Sequence, residues 1–155
     1  EATLQVLREA VDLPGAPFQW AAAGYQGAIR SDGSKTICGV LFGSTAFLGF
    51  LCGGSQVAEP AVDDPVRQQA IVAVNGLFSG FLERFGATEC HALTGCDHSI
   101  PEQTDRFYRD EVYRDTCLRQ LEYVLSYCLD QIELIAGSDA LQAGQSKEEG
   151  SDPHS

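Results

Sequence analysis

The sequence predicts an all-α fold, and three observations carry that reading. Apolar residues recur at three- and four-residue intervals in well-separated stretches, the period of a helix with one buried face. No stretch alternates apolar and polar residues as a half-buried strand does. Between the periodic stretches stand helix stop and start residues: Pro14, Gly15, Asp64, Pro65 and Gly95. Together they predict a compact bundle of about five helices around a glycine-rich buried central helix.

Residues 1–12 place Leu4, Leu7 and Val11 on one face and predict an amphipathic helix with no cap before it. Pro14, Gly15 and Pro17 break it. A second short helix is expected over residues 18–25, with Trp20 in the core. Residues 24–35 contain Gly27, Gly33 and the run Ser31-Asp32-Gly33-Ser34, which reads as a loop or tight turn.

Residues 36–52 are the most apolar segment. Their length is borderline for a bilayer span, which needs about 20 residues. Basic flanks and aromatic belts are missing, so the segment reads as the buried central helix and not as a membrane span. Gly39, Gly43 and Gly49 lie along it and allow close approach of another helix.

Residues 53–64, with Pro60, read as a linker. Asp64 as cap and Pro65 at the first helical position open a helix over 65–85. Its apolar side holds Val66, Ile71, Val74, Leu77, Phe78, Phe81 and Leu82. Gly76 and Gly80 each cost about 1 kcal/mol against alanine inside a helix, so both are expected to face a close neighbour, the glycine face of the central helix. A short turn and helix over 88–93 ends at Gly95, and 105–108 reads as a turn. The last long helix is expected over 113–136, with Cys117, Leu121, Val124, Leu125, Cys128 and Ile132 on one stripe. Residues 1–136 then form one cysteine-rich helical domain and 137–155 a flexible acidic tail, with 144–155 disordered.

The formal net charge is −12, with 10 basic residues against 22 acidic ones. No basic patch is present to displace counterions, which excludes nucleic acid and anionic membrane surfaces as partners. No phosphate-cradling, dinucleotide-binding or nucleophile-elbow motif occurs. The six cysteines are Cys38, Cys52, Cys90, Cys96, Cys117 and Cys128. A chain of 155 residues buries a core without covalent staples, so the set reads first as metal-binding or catalytic. In an exported chain it could form disulfides. The sequence holds no methionine, as expected of a processed chain or part of a longer one, and both a cytoplasmic and an exported compartment stay open.

The densest chemistry lies in residues 89–99, ECHALTGCDHS, where Cys90 and Cys96 stand with His91 and His98. Thiolate and imidazole suit zinc, copper and iron–sulfur centres, but this spacing is not a zinc-knuckle spacing. His91 reads as an exposed helix residue and His98 as a turn residue. Cys90 falls just inside a short helix, where the aligned N–H groups should lower its pKa; Cys38, near the start of the glycine-rich helix, has the same claim. Cys52 and Cys128 read as small buried hydrophobes. Covalent haem attachment needs C-x-x-C-H, and Ala87 stands three places before Cys90, so no covalent haem motif is present.

Taken in order, EATL at the start, GYQGAIRSDGSKTICGVLFG, FLERFGATECHALTGCD and then Cys117 resemble a bacterial redox-active family named for its spaced cysteines: C, GCAxxG, C, C. The resemblance spans roughly residues 1–135. It departs in two places: the family's first cysteine would precede Glu1, and Cys38-Gly39-Val40 stands where the label has Gly-Cys-Ala. The resemblance implies a helical domain that uses cysteines for redox work or to hold an iron–sulfur cluster. Cys38, Cys90 and Cys117 match by position, with Cys96 as fourth, and these four are the expected cofactor and metal ligands. A relative of the domain occurs in multi-domain cytochromes, so a redox protein such as a cytochrome is the implied partner. The glycine-faced helices could pack within one chain or across a homodimer. The leading expectation is an electron-transfer module. The alternatives are a thiol–disulfide oxidoreductase, with Cys90 attacking and Cys96 resolving, and a non-catalytic disulfide-stapled subunit of a larger redox assembly.

Overall fold

A computed structural model describes residues 2–12, 24–25, 27–53 and 61–148, with side chains described as far as residue 135. The fold is all-α, as the periodicity predicts. Its elements are α1 (Ala2–Ala10), α2 (Gly39–Gly53), α3 (Pro65–Phe85), α4 (Cys90–Thr94), α5 (Pro101–Arg109) and α6 (Arg119–Glu148). A π-helical turn, Arg114–Leu118, leads into α6.

The central helix is α2. Leu41, Phe47 and Leu48 on it are fully buried, joined by Leu4 and Leu7 of α1, Leu77 and Phe81 of α3, and Val124 and Cys128 of α6. Each large side chain removed from water in this way contributes roughly 1.5–3 kcal/mol before entropy is counted. No helix among the described residues is long and apolar enough to cross a membrane.

Local chemistry sets the ends of α3. Asp64 Oδ1 accepts from the backbone N–H groups of Val66 (2.8 Å) and Arg67 (3.3 Å), and Pro65 occupies the first turn. Gly86 closes the helix at φ +77°, its N–H bonded to Leu82 O, the left-handed cap that glycine adopts without strain. The buried face differs slightly from the expected one. Ala73 is buried, whereas Ile71 and Leu82 are exposed, because α3 packs against both α2 and α6 and presents the face between them.

The glycines of α2 and α3 serve different neighbours from those expected. A side chain at Gly43 would meet Thr3 and Leu4, and one at Gly39 would meet Ile29, so α1 and the chain near Ile29 occupy that face. Gly76 and Gly80 instead lie against the hydroxyls of Tyr127 and Tyr123 on α6. Glycine spacing marks a close approach without naming what approaches.

Three further expectations are corrected. Within 24–35, residues 27–31 are helical before the turn at Gly33 and Ser34; Ala28, Ile29 and Arg30 outweigh the flanking glycines, and Ser31 Oγ donates to Gly27 O at 2.8 Å. The turn read at 105–108 belongs to α5, which Pro101 opens and Phe107 anchors in the interior. The last helix continues past residue 136 to Glu148, through a run of good helix formers including Ala140, Leu141, Gln142 and Ala143. Apart from Gly24 and Tyr25, the helix expected over 18–25, with Trp20, lies outside the described residues. So do residues 54–60 of the linker and residues 149–155.

Candidate functional site

Four backbone segments meet where α2 begins. Ile37 and Glu89 form an isolated antiparallel bridge. Around it Cys38 N donates to Thr88 O (2.7 Å), Cys90 N to Thr36 O (3.1 Å) and His91 N to Ser34 O (2.7 Å). This short lacing sets Cys38 beside Cys90 although 51 residues intervene. Ser34 Oγ also accepts from His98 N at 2.9 Å, which draws in the segment that carries Cys96. Cys96 N donates to Thr94 Oγ1 at 3.2 Å, and Gly95 at φ +65° turns the chain inward.

Cys117 arrives from the π turn. A π turn inserts one extra residue into a helical ladder and re-aims its side chains, often at functional sites. Here it carries Thr116 and Cys117, with the Thr116 hydroxyl 3.7 Å from the Cys117 sulfur. Gln120, buried on the first turn of α6, accepts from Cys38 Sγ at 3.5 Å.

The thiols share one electrostatic neighbourhood. Burial pushes the Cys38 thiol up to about 11, opposed by hydrogen bonds from the backbone of Val40 and Leu41 and assisted by Cys117. Burial pushes Cys90 up to about 12, with Cys38, Cys117 and Cys96 each adding repulsion to its thiolate. Cys117 is raised by burial, with repulsion from Cys96. The lowered pKa expected of Cys90 is therefore reversed. Helix α4 has only five residues, so its dipole is small, and desolvation with three neighbouring sulfurs outweighs it.

The backbone N–H groups of Val40 and Leu41 serve Cys38. The hydroxyls of Thr94 and Thr116 lie beside Cys90 and Cys117 but donate to Cys90 O (2.8 Å) and Val112 O (2.5 Å). Cys96 is fully buried, and Arg106 Nη2 stands 3.3 Å from its sulfur while bonding Gly95 O at 2.6 Å.

All six cysteines are free thiols. Among the described residues no three of the His, Cys, Asp or Glu side chains are grouped closely enough to hold a metal ion. Cys128 is fully buried and raised to about 12 by burial, with Ser44 as its hydrogen-bonding neighbour, and Cys52 is half-buried. Both lie apart from the four. His91 is exposed on α4. His98 sits in a turn with its ring edge-on to Phe107, and burial lowers its pKa.

A family model described as "Putative redox-active protein (C_GCAxxG_C_C)" matches residues 1–131. The chain belongs to this family. A redox role in general terms follows for this C_GCAxxG_C_C protein. No curated protein and no solved structure matches the chain.

Sequence reasoning passed over Arg106, Thr116 and Gln120. Arg106 lay in a stretch read as a turn. Gln120 had a usable signal: it stands three after Cys117 and four before Val124, a polar residue on a buried stripe, where a partner is required.

Proposed function

We propose that Cys38, Cys90, Cys96 and Cys117 hold an iron–sulfur cluster and that the domain passes electrons to a redox protein, of cytochrome type or equivalent. The observation that carries this reading is the proximity of the four thiols: ionisation of Cys90 is opposed by charge on each of the other three. Ionising one thiol there is opposed, and a cationic centre removes the opposition by binding all of them as thiolates.

The fit favours a cluster over a single ion. One ion would need ligand atoms within about 2.3 Å of it, and no such grouping exists among the described residues. A cluster spaces its thiolates by its own frame of iron and sulfide. Thr36, two residues before Cys38, buries its hydroxyl beside that of Tyr25, its hydrogen-bonding neighbour.

When bound, an iron–sulfur cluster supplies one-electron redox chemistry. The chain's own part is to bind, exclude water and set potential. Arg106 and the N–H groups of Val40 and Leu41 supply donors to sulfur, which raise a potential, while burial of Cys38 and Cys96 limits solvent access. The oxidoreductase alternative is less well supported, because an attacking thiol works best with a pKa near ambient pH and Cys90 is pushed to about 12.

Anaerobic purification or reconstitution with iron and sulfide, read by visible and electron paramagnetic resonance spectra and iron content, tests the proposal. Stoichiometric iron is expected in the wild type, in Cys52→Ser and in Cys128→Ser, and loss of it in serine variants of the other four. A protein that takes up no iron, or a quadruple serine variant that holds as much as wild type, overturns it.

A further inference from the structure

Beside the thiols lies a cavity of about 420 Å³, walled by the end of α3, by α4, by the π turn and by the start of α6. That volume is in the range of small-ligand pockets. Its walls have two characters. Phe85 and Leu93 are apolar and half-buried, while Arg84 and Arg119 bring two guanidinium groups into a chain whose net charge is −12.

Neither arginine is occupied. Among the described residues, the ion pairs use Arg8, Arg109 and Arg114, and no side-chain hydrogen bond reaches Arg84 or Arg119. Arg84 lies 5.9 Å from the Phe85 ring centre and 5.7 Å from that of Tyr123. Aromatic faces orient a guanidinium without using its N–H donors. The fork that remains matches a carboxylate or phosphate oxygen pair.

The cavity also reaches the redox groups. Thr116 and Gln120 line it, and these residues lie against the sulfurs of Cys117 and Cys38. Asp115, also in the wall, weighs against a ligand with several anionic groups.

We propose that this cavity binds a small organic anion, with one carboxylate or phosphate group on Arg84 and Arg119 and its carbon skeleton on Phe85 and Leu93, next to Thr116 and Gln120. The inference concerns the protein chain alone and goes beyond the cluster reading, so iron uptake and anion binding succeed or fail separately.

The test is an NMR titration of the full chain under reducing conditions at matched ionic strength, with propionate, methyl phosphate and the neutral control propionamide. Saturable shifts are expected at the backbone amides of residues 84, 93, 116, 119 and 120 with at least one anion and not with propionamide. Response to propionate alone assigns a carboxylate ligand, and response to methyl phosphate alone a phosphorylated one. In Arg84→Gln and Arg119→Gln the apparent affinity should fall about tenfold each, as for loss of one charge-assisted hydrogen bond. No saturable shift with either anion, equal shifts with propionamide, or a folded double variant that binds as wild type overturns the proposal.

Discussion

The thiol of Cys38 donates to the side-chain carbonyl of Gln120 at 3.5 Å, across 82 positions of sequence. Both residues are buried. The contact ties the start of the central helix to the first turn of α6 and aligns two of the four segments that carry the clustered thiols.

Gln120→Ala should therefore act on stability and on the site together. It removes a buried acceptor and leaves a gap in the wall, at an expected cost of about 1–3 kcal/mol. Urea denaturation of the reduced, metal-free protein would measure the loss. Faster alkylation of Cys38 at neutral pH should accompany it, read by peptide mass spectrometry. Unchanged stability would show that the contact carries no energy.

The raised thiols make stability fall in alkali. Cys38, Cys90 and Cys128 rise from an ordinary 9.0 to about 11, about 12 and about 12 in the folded chain. The unfolded chain releases their protons first, so the folded state binds more protons and loses stability as pH rises. The contribution is whole below pH 9 and drains away as pH climbs through 11 to 12. Denaturation midpoints of the metal-free protein from pH 8 upward should show the decline, and Cys90→Ser or Cys128→Ser should flatten it.

Gly76 tests whether glycine marks contact. A side chain there collides with the hydroxyl of Tyr127, which is held by its 2.8 Å bond to Ala73 O. Gly76→Ala gains about 1 kcal/mol of helix propensity but incurs overpacking of roughly 1–3 kcal/mol, so a net loss of about 1 kcal/mol is expected. In Tyr127→Phe the nearest ring atom stands 3.5 Å away, an ordinary contact. There the same substitution should stabilise by about 0.5–1 kcal/mol, measured in a double-mutant cycle.

Arg106 is a positioning residue for Cys96. In iron-loaded protein Arg106→Gln removes a positive charge 3.3 Å from the sulfur, which should favour the oxidised state and move the reduction potential to more negative values. Arg106→Lys should recover part of the shift. Protein-film voltammetry of the three proteins checks it, and a potential that does not move would reduce Arg106 to its structural bond with Gly95.

Much of the fold was legible because the signals are local. Asp64, Pro65 and Gly86 bound α3 by hydrogen bonds made within a few residues, and the apolar run of α2 required burial wherever it packed. The helical turn at 27–31 and helix α5 were less legible. In both, glycine or short polar stretches mask residues that become helical once Ile29 and Phe107 find neighbours.

By itself the sequence determined an all-α chain, its main helices and its family, since periodicity, caps and motif order are written along the chain. Only the tertiary structure decided that Gly76 and Gly80 face tyrosines of α6, that Cys90 is raised and not lowered in pKa, and that Arg106 and Gln120 attend Cys96 and Cys38. The reason is physical: desolvation, repulsion between thiolates and hydrogen bonds across 82 positions depend on distances that exist only after the helices have packed.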